Sequence, residues 1–415
     1  MQTYTYKGIN KSKPVKVYAT LPVLNESENI AALLLDLEAQ DFADWMLVVC
    51  VNQPDEWWHM PDKEHICEDN ARTISFLNNK NDSRIKVIDC SSIGLGWKGK
   101  HHGVGWARKT AMDFAAGLAD ADDIILSMDA DTRYPANYFS AVSDQIYSFP
   151  DAMGLSVPYY HKLTGDETAD RCILRYEIYM RNYALHMLQL RNPYCFSAIG
   201  SGMACKSGVY KRVGGLTPKL SGEDFYFMQK LRKAGNLIIH SDAVIHPEAR
   251  FSDRVYFGTG PAMIRGRDGK WDSYPIYSSE SFLKVADTFK VFTDLYTSDF
   301  EVPMQHFLDQ MTDGNSFWGT LRNNAASAEA FVKACTQRLD GLRILQFLKS
   351  DNENYPQSDE EKLWQFLNSA LFSSEDISGL PDVKDFSECT VDELNDIRNV
   401  MFQKERSLQK EIQLA

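Results

Sequence analysis

The sequence predicts an α/β protein, with a mainly parallel sheet covered by helices on both faces and followed by an all-helical C-terminal domain. Three observations carry this. Short apolar, β-branched runs alternate with amphipathic stretches over the first part of the chain, the pattern of parallel strands joined by crossover helices. Glycine is concentrated there too, leaving only Gly314, Gly319, Gly341 and Gly379 beyond residue 278. Charge shifts at the same place: from Ser278 onward there are 24 acidic and 13 basic residues, a net of −11, against −2 for everything before. The boundary is expected near residues 270–280, around Gly266-Arg-Asp-Gly-Lys-Trp271, giving domains 1–275 and 276–415.

The elements follow in order. Residues 15–21 form a buried strand ending at Pro22. Asn25 is the expected N-cap of the next helix, with Glu28 three residues on and Ile30, Leu33, Leu34 and Leu37 at helical spacing. Residues 46–51 and 84–90 are a second and third strand, 102–118 a helix, and 123–128 a fourth strand. In the tail, 281–296 and 329–348 each read as one helix, the latter through Phe331, Cys335, Leu339, Leu342, Leu345 and Leu348. Ser358-x-x-Glu361 and Thr390-x-x-Glu393 are capping boxes that open two more.

Composition narrows the function classes. The 415 residues, 44% hydrophobic and 24% charged, suit a soluble globular chain of two or three domains. No run of apolar residues reaches the roughly 18 needed to span a bilayer. The start, residues 1–14, is polar and carries no secretory signal. A net charge of −13 argues against nucleic-acid binding, which needs a basic face. The eight cysteines include no C-x-x-C pair, and Cys50, Cys90 and Cys205 lie in apolar runs. They read as reduced structural thiols, which places the protein in the cytoplasm.

In parallel sheets, ligands bind beyond the carboxyl ends of the strands. The segments that follow strands are therefore the ones to inspect. Gly94-Leu-Gly-Trp-Lys-Gly-Lys-His101 fits both a dinucleotide fingerprint and a phosphate loop, although His101 stands where the latter has Ser or Thr. A phosphate-loop nucleotide hydrolase using Gly94, Gly99, Lys100 and Asp129 is one reading; a flexible loop whose Lys98 and Lys100 reach a diphosphate is another. Asp129-x-Asp131 follows the fourth strand, and alternation puts both carboxylates on one side. Hard oxygen ligands there suit Mg²⁺ or Mn²⁺ bound with substrate phosphates, whereas a lone D-x-D also suits a solvated turn. Gly200-Ser-Gly202 would let a substrate approach the backbone. Glu223-Asp224 opens a helix with Ser221 as its expected N-cap. The same placement serves a general base or a simple helix-start carboxylate. His246 ends an apolar run before Pro247, where imidazole can complete a metal site or simply pack.

In this order and spacing the elements resemble glycosyltransferase family 2, enzymes of the GT-A fold. The resemblance covers residues 15–250. Pro22-Val-Leu-Asn-Glu26 is similar to the family's P-x-Y-N-E, with Leu24 in place of tyrosine. Val213-Gly-Gly-Leu216, Gly222-Glu-Asp224 and Lys230-Leu-Arg-Lys-Ala-Gly235 are similar to its VGGF…GED stretch and the helix that follows. The resemblance implies a nucleotide-diphosphate sugar as donor and a carbohydrate, lipid-linked or small-molecule acceptor. It implies Pro22, Glu26 and Asn52 in the nucleoside pocket, Asp129 at the ribose or metal shell, and Asp131 and His246 on Mn²⁺ or Mg²⁺. Lys100 and Gly202 would line the donor site, and Asp224, with Glu223 beside it, would be the base of an inverting transfer. Residues 250–260 read either as a loop that grips phosphate or acceptor, or as a basic loop packed on the tail. A non-catalytic sugar-nucleotide-binding protein is a third reading. Oligomeric state leaves no mark on the sequence.

Overall fold

A computed structural model describes residues 15–254, 256–312 and 316–414. The polar start at residues 1–14, Val255 and Gly314 lie outside the described residues. The chain forms two compact units. Among the described residues, the first holds those up to Lys162 together with Ser197–Glu248 and 256–257; the second holds Leu163–Phe196, Ala249–Arg254 and those from Gly258 onward. The division therefore crosses the chain several times, whereas glycine and charge mark a single change near residue 275.

The first unit alternates β1 (Val17–Val23), α1 (Ser27–Glu38), β2 (Trp45–Asn52), α2 (Glu64–Asn79), β3 (Ile85–Cys90), α3 (Val104–Leu118) and β4 (Ile124–Ser127). A short β5 (Thr132–Arg133), α4 (Tyr138–Ser148) and β6 (Gly154–Ser156) follow, and the long α5 (Glu167–Gln189) belongs to the second unit. Back in the first unit come β7 (Met203–Lys206), α6 (Ser207–Arg212), α7 (Glu223–Ala234), β8 (Leu237–Ile238) and β9 (His246–Pro247). Seven strands make one sheet in the order β3-β2-β1-β4-β7-β6-β8, and β5 pairs β9 in a separate ribbon. Within the seven-stranded sheet pairings are parallel except β4–β7 and β6–β7, and the β5–β9 ribbon is antiparallel. The expected α/β fold with a mainly parallel sheet is the observed one.

β1 is buried along its whole length and runs through Pro22 to Val23, two residues beyond the expected end. Proline is tolerated because Thr20 O accepts from Met128 N, so the backbone groups of Thr20 face β4. Pro22, two residues on, faces the same way, and β4 has already ended at Ser127. Strands leave β1 toward β2 and β3 on one side, and the chain returns to β4 on the other. The gap between β1 and β4 is thus the topological switch point.

Several helix starts differ from expectation. Asn25 is not the N-cap of α1; it sits at φ 57°, a left-handed turn that asparagine tolerates, and Glu26 holds the cap position. The capping partner comes from α2, where Asp69 accepts from the amide and hydroxyl of Ser27. α3 begins at Val104, after Gly103 at φ 96°. Gly222, at φ 74°, caps α7 in place of Ser221.

The second unit is helical beyond α5: α8 (Thr259–Arg267), α9 (Ser279–Lys290), α10 (Gln305–Asp309), α11 (Phe317–Asn323), α12 (Ala328–Arg338), α13 (Gly341–Asp351), α14 (Asp359–Leu367), α15 (Ser374–Ile377) and α16 (Val391–Leu414). Its core joins Leu174, Ile178 and Leu185 of α5 to Phe366 of α14 and Ile397 and Met401 of α16. Arg181 bridges Glu177 and Glu405 in that interior, and Arg398 reaches Glu177 from α16. The helix expected over 329–348 is two helices, because Asp340 caps α13 by accepting from Arg343 N. The one expected over 281–296 stops at Lys290 and resumes as a single turn at Asp294–Tyr296. Both expected capping boxes form. No helix among the described residues is long and apolar enough to cross a membrane.

Candidate functional site

A buried arginine, Arg108 of α3, organises the ends of the central strands. It is 3% exposed and donates in four directions. Nε reaches Glu223 Oε1 at 2.9 Å and Nη2 reaches Asp129 Oδ1 at 2.9 Å. Nη1 reaches Ser127 Oγ at 2.6 Å and Gly200 O at 3.1 Å. Burial pushes its pKa down, but the carboxylates of Asp129 and Glu223 outweigh that and hold it above the ordinary value. The guanidinium stays charged and ties the D-x-D turn, Gly200 and the start of α7 into one cluster. Sequence reasoning missed Arg108. Its only signal was a cation on the inward face of an otherwise alanine-rich helix.

Gly200 is required by this pair. A Cβ there would lie 2.6 Å from Arg108 Nη2 and 3.2 Å from Asp129 Oδ2. Gly202 has a different reason: a Cβ would meet Ile245 Cδ1 at 2.9 Å, so the group in close approach there is the protein's own. Its N–H donates to Ile199 O and its carbonyl accepts from Val157 N, leaving its backbone engaged within the core. The Tyr134 hydroxyl accepts from Asp129 N at 2.9 Å and fixes the D-x-D turn from beneath.

Asp224 follows Glu223 in the first turn of α7. Its side chain is half-buried. Burial, and then the neighbouring Glu223 charge, raise its pKa to about 7 against the lowering pull of Arg108. A carboxyl poised at neutral pH suits a general base.

His246 opens β9, and Asp131 immediately precedes β5, in the ribbon these two strands form. Arg133 pairs with His246, Thr132 with Pro247, and Glu248 N donates to Asp131 O at 3.0 Å. His246 Nδ1 is 2.8 Å from Tyr160 O. A carbonyl only accepts, so the neutral ring carries its proton on Nδ1 and its lone pair on Nε2. Among the described residues no group of three or more Asp, Glu, His or Cys side chains is placed to hold a metal ion. A carboxylate and an imidazole nitrogen are donor types that Mn²⁺ takes beside phosphate oxygens, and Mg²⁺ takes the carboxylate.

Pro22, Glu26 and Asn52 mark the ends of β1 and β2, and all three are buried. Asn52 Nδ2 donates to Val23 O, and Asn70 of α2 donates to Asn52 O and Gln53 Oε1 while accepting from Asn25 N. Asn70 and Asp69 thus shape the turn that carries Glu26. Nothing in local sequence pointed to α2 for that task.

The glycine loop does not form a phosphate loop. Lys100 lies four residues before α3, and the loop follows β3, an edge strand. Asp55 Oδ1 accepts from Gly94 N, Asp55 N donates to Trp97 O, and Trp97 N donates to Gln53 O. The loop is thereby stapled to the segment after β2. Lys100 is left in the wall of a cavity of about 430 Å³ with Trp106, Pro218, Lys219, Leu220, Ser221, Tyr226, Tyr256 and Phe257.

No family model matches the chain, and no curated protein does. Among solved structures it is similar to a mannosyltransferase from Pyrobaculum calidifontis in complex with GDP-Man and Mn²⁺. That likeness has 15% identity and a TM-score of 0.39, covering 81% of this chain and 91% of that one. It is also similar to S. aureus TarS in complex with UDP-GlcNAc, at 13% identity and a TM-score of 0.39, over 96% of this chain and 91% of that one. Likenesses this distant assign neither an activity nor a site to this chain.

Proposed function

We propose that the protein is a family 2-type inverting glycosyltransferase that moves a sugar from a nucleoside diphosphate to an acceptor hydroxyl. The observation that carries this is Asp224, a half-buried carboxyl with a pKa near 7, set beside a glutamate that shares Arg108 with the D-x-D turn. The ordered motifs from Pro22 to His246 support it. In this reading Asp131 and His246 hold Mn²⁺ or Mg²⁺, which when bound offsets diphosphate charge. Arg108 is a positioning residue that keeps Asp129 turned toward the donor and Glu223 beside the base. Pro22, Glu26 and Asn52 shape the nucleoside end.

Asp224 takes the acceptor proton as the acceptor oxygen bonds to the anomeric carbon. The bond from that carbon to the donor phosphate oxygen breaks, and its electron pair leaves with the nucleoside diphosphate. One base and a single displacement give inversion. The eight cysteines are free thiols, which fits a reducing cytoplasm.

The test is Asp224→Asn. It should bind the sugar nucleotide as the parent does and lose about 10²–10⁴-fold in kcat. Full transfer by that variant would overturn Asp224 as base. Donor binding by the parent without turnover on any acceptor would leave a binding protein instead.

A further inference from the structure

The cavity beside α7 has a lining that the catalytic cluster does not use. Its walls bracket the base in the chain, with Ser221 just before Gly222 and Glu223, and Tyr226 in the first turn after Asp224. Trp106, also in the lining, lies two residues before Arg108 on α3. The wall at 256–257 is tied to the α7 turn, since Phe257 N donates to Ser221 Oγ at 3.2 Å. The wall at 218–220 abuts α3 so closely that a Cβ on Gly105 would lie 2.2 Å from Lys219 O.

The lining is chemically specific. It holds two ammonium groups, Lys100 and Lys219, and no carboxylate, in a chain whose net charge is −13. Neither lysine makes an ion pair among the described residues; Lys219 Nζ lies 5.1 Å from the centre of the Tyr226 ring. Tyr256 and Phe257 are 69% and 70% exposed, far more than aromatic rings usually are. Flat rings beside cations match a sugar or polyol ring that carries an anionic substituent.

Resting on the transfer reading above, we propose that this cavity is the acceptor subsite and that the acceptor is a hydroxyl-bearing ring carrying a phosphate. Lys100 and Lys219 hold the phosphate. Tyr256, Phe257 and Trp106 face the ring and hold its hydroxyl toward the start of α7. The same chemistry occurs in a soluble sugar phosphate and in a phosphoinositide headgroup.

Two binding arms separate these sources. Saturation-transfer NMR titrates glucose 6-phosphate and mannose 6-phosphate against the unphosphorylated hexoses. Co-sedimentation compares phosphatidylcholine vesicles with and without phosphatidylinositol. A phosphate preference of about 10- to 100-fold is expected in one arm. Lys219→Ala should abolish it, Lys219→Arg should restore it, and Phe257→Ala should weaken phosphorylated and neutral rings alike. Equal binding of charged and neutral probes in both arms overturns the proposal, and so does parent-like discrimination by Lys219→Ala. Melting of parent and Lys219→Ala with UDP-, GDP- and TDP-sugars keeps the two readings apart. Stabilisation by a sugar nucleotide without phosphate preference overturns the subsite alone. Phosphate preference without stabilisation by any sugar nucleotide overturns the transfer reading, and the acceptor role with it.

Discussion

The raised pKa of Asp224 couples stability to pH, and under the transfer reading proposed above it couples activity to pH in the opposite sense. Its pKa of about 7 in the folded protein lies above the value of about 3.9 for an unfolded aspartate. Between those values the folded protein holds a proton that the unfolded chain has released. The resulting stabilisation is complete below about pH 4 and is lost as pH rises through about 7. A base must be deprotonated, so kcat/KM should climb over the range in which stability falls. Urea melts at pH 5 and pH 8 check this: Asp224→Asn should lose less stability across the interval than the parent, and equal losses would contradict it. Arg108 belongs to the same scale. Arg108→Met leaves Glu223 buried without its cation and should cost about 3–5 kcal/mol in denaturant melts. None of this was visible locally, because the partners of Arg108 stand 19, 21, 92 and 115 residues away in sequence.

Among the elements, α3 shows what a glycine inside a helix can be for. Gly105 is in the first turn, where alanine would normally favour a helix by about 1 kcal/mol. Here a Cβ would collide with the Lys219 backbone at 2.2 and 2.6 Å. Gly105→Ala should therefore destabilise, by about 1–3 kcal/mol, and displace the 218–221 wall of the cavity. A melt in which the variant is more stable than the parent would contradict that packing. The helices also show where periodicity misleads. Apolar spacing runs unbroken from Phe331 to Leu348, yet Leu339 and Asp340 interrupt it, because an aspartate able to cap the next helix outweighs continuity. The sequence pattern marks no helix over α5, for the opposite reason. It is buried on most of its surface, so its apolar residues mark no single stripe, and its buried Glu177 and Arg181 find partners on α16 while Arg175 finds one on α14.

For the whole molecule, ligand linkage is the informative measurement. A sugar nucleotide that binds only the folded state raises the melting temperature by mass action, about 2.7 kcal/mol at a hundredfold excess over Kd. The rise should need Mn²⁺ or Mg²⁺ and should fade in Asp131→Ala; calorimetry with and without the cation reads both. The strand–helix alternation, the sheet class and the chain positions of Asp129, Asp131, Glu223, Asp224 and His246 are legible in the sequence by itself, because they rest on period, burial and local turn chemistry. The tertiary structure alone decided that Arg108 joins Asp129 to Glu223 and that Gly202 answers to Ile245. It also decided that the glycine loop is stapled to Asp55, and that Asp69 caps a helix other than its own. Those are contacts between residues far apart in the chain, and no local pattern records a partner that only the fold brings near.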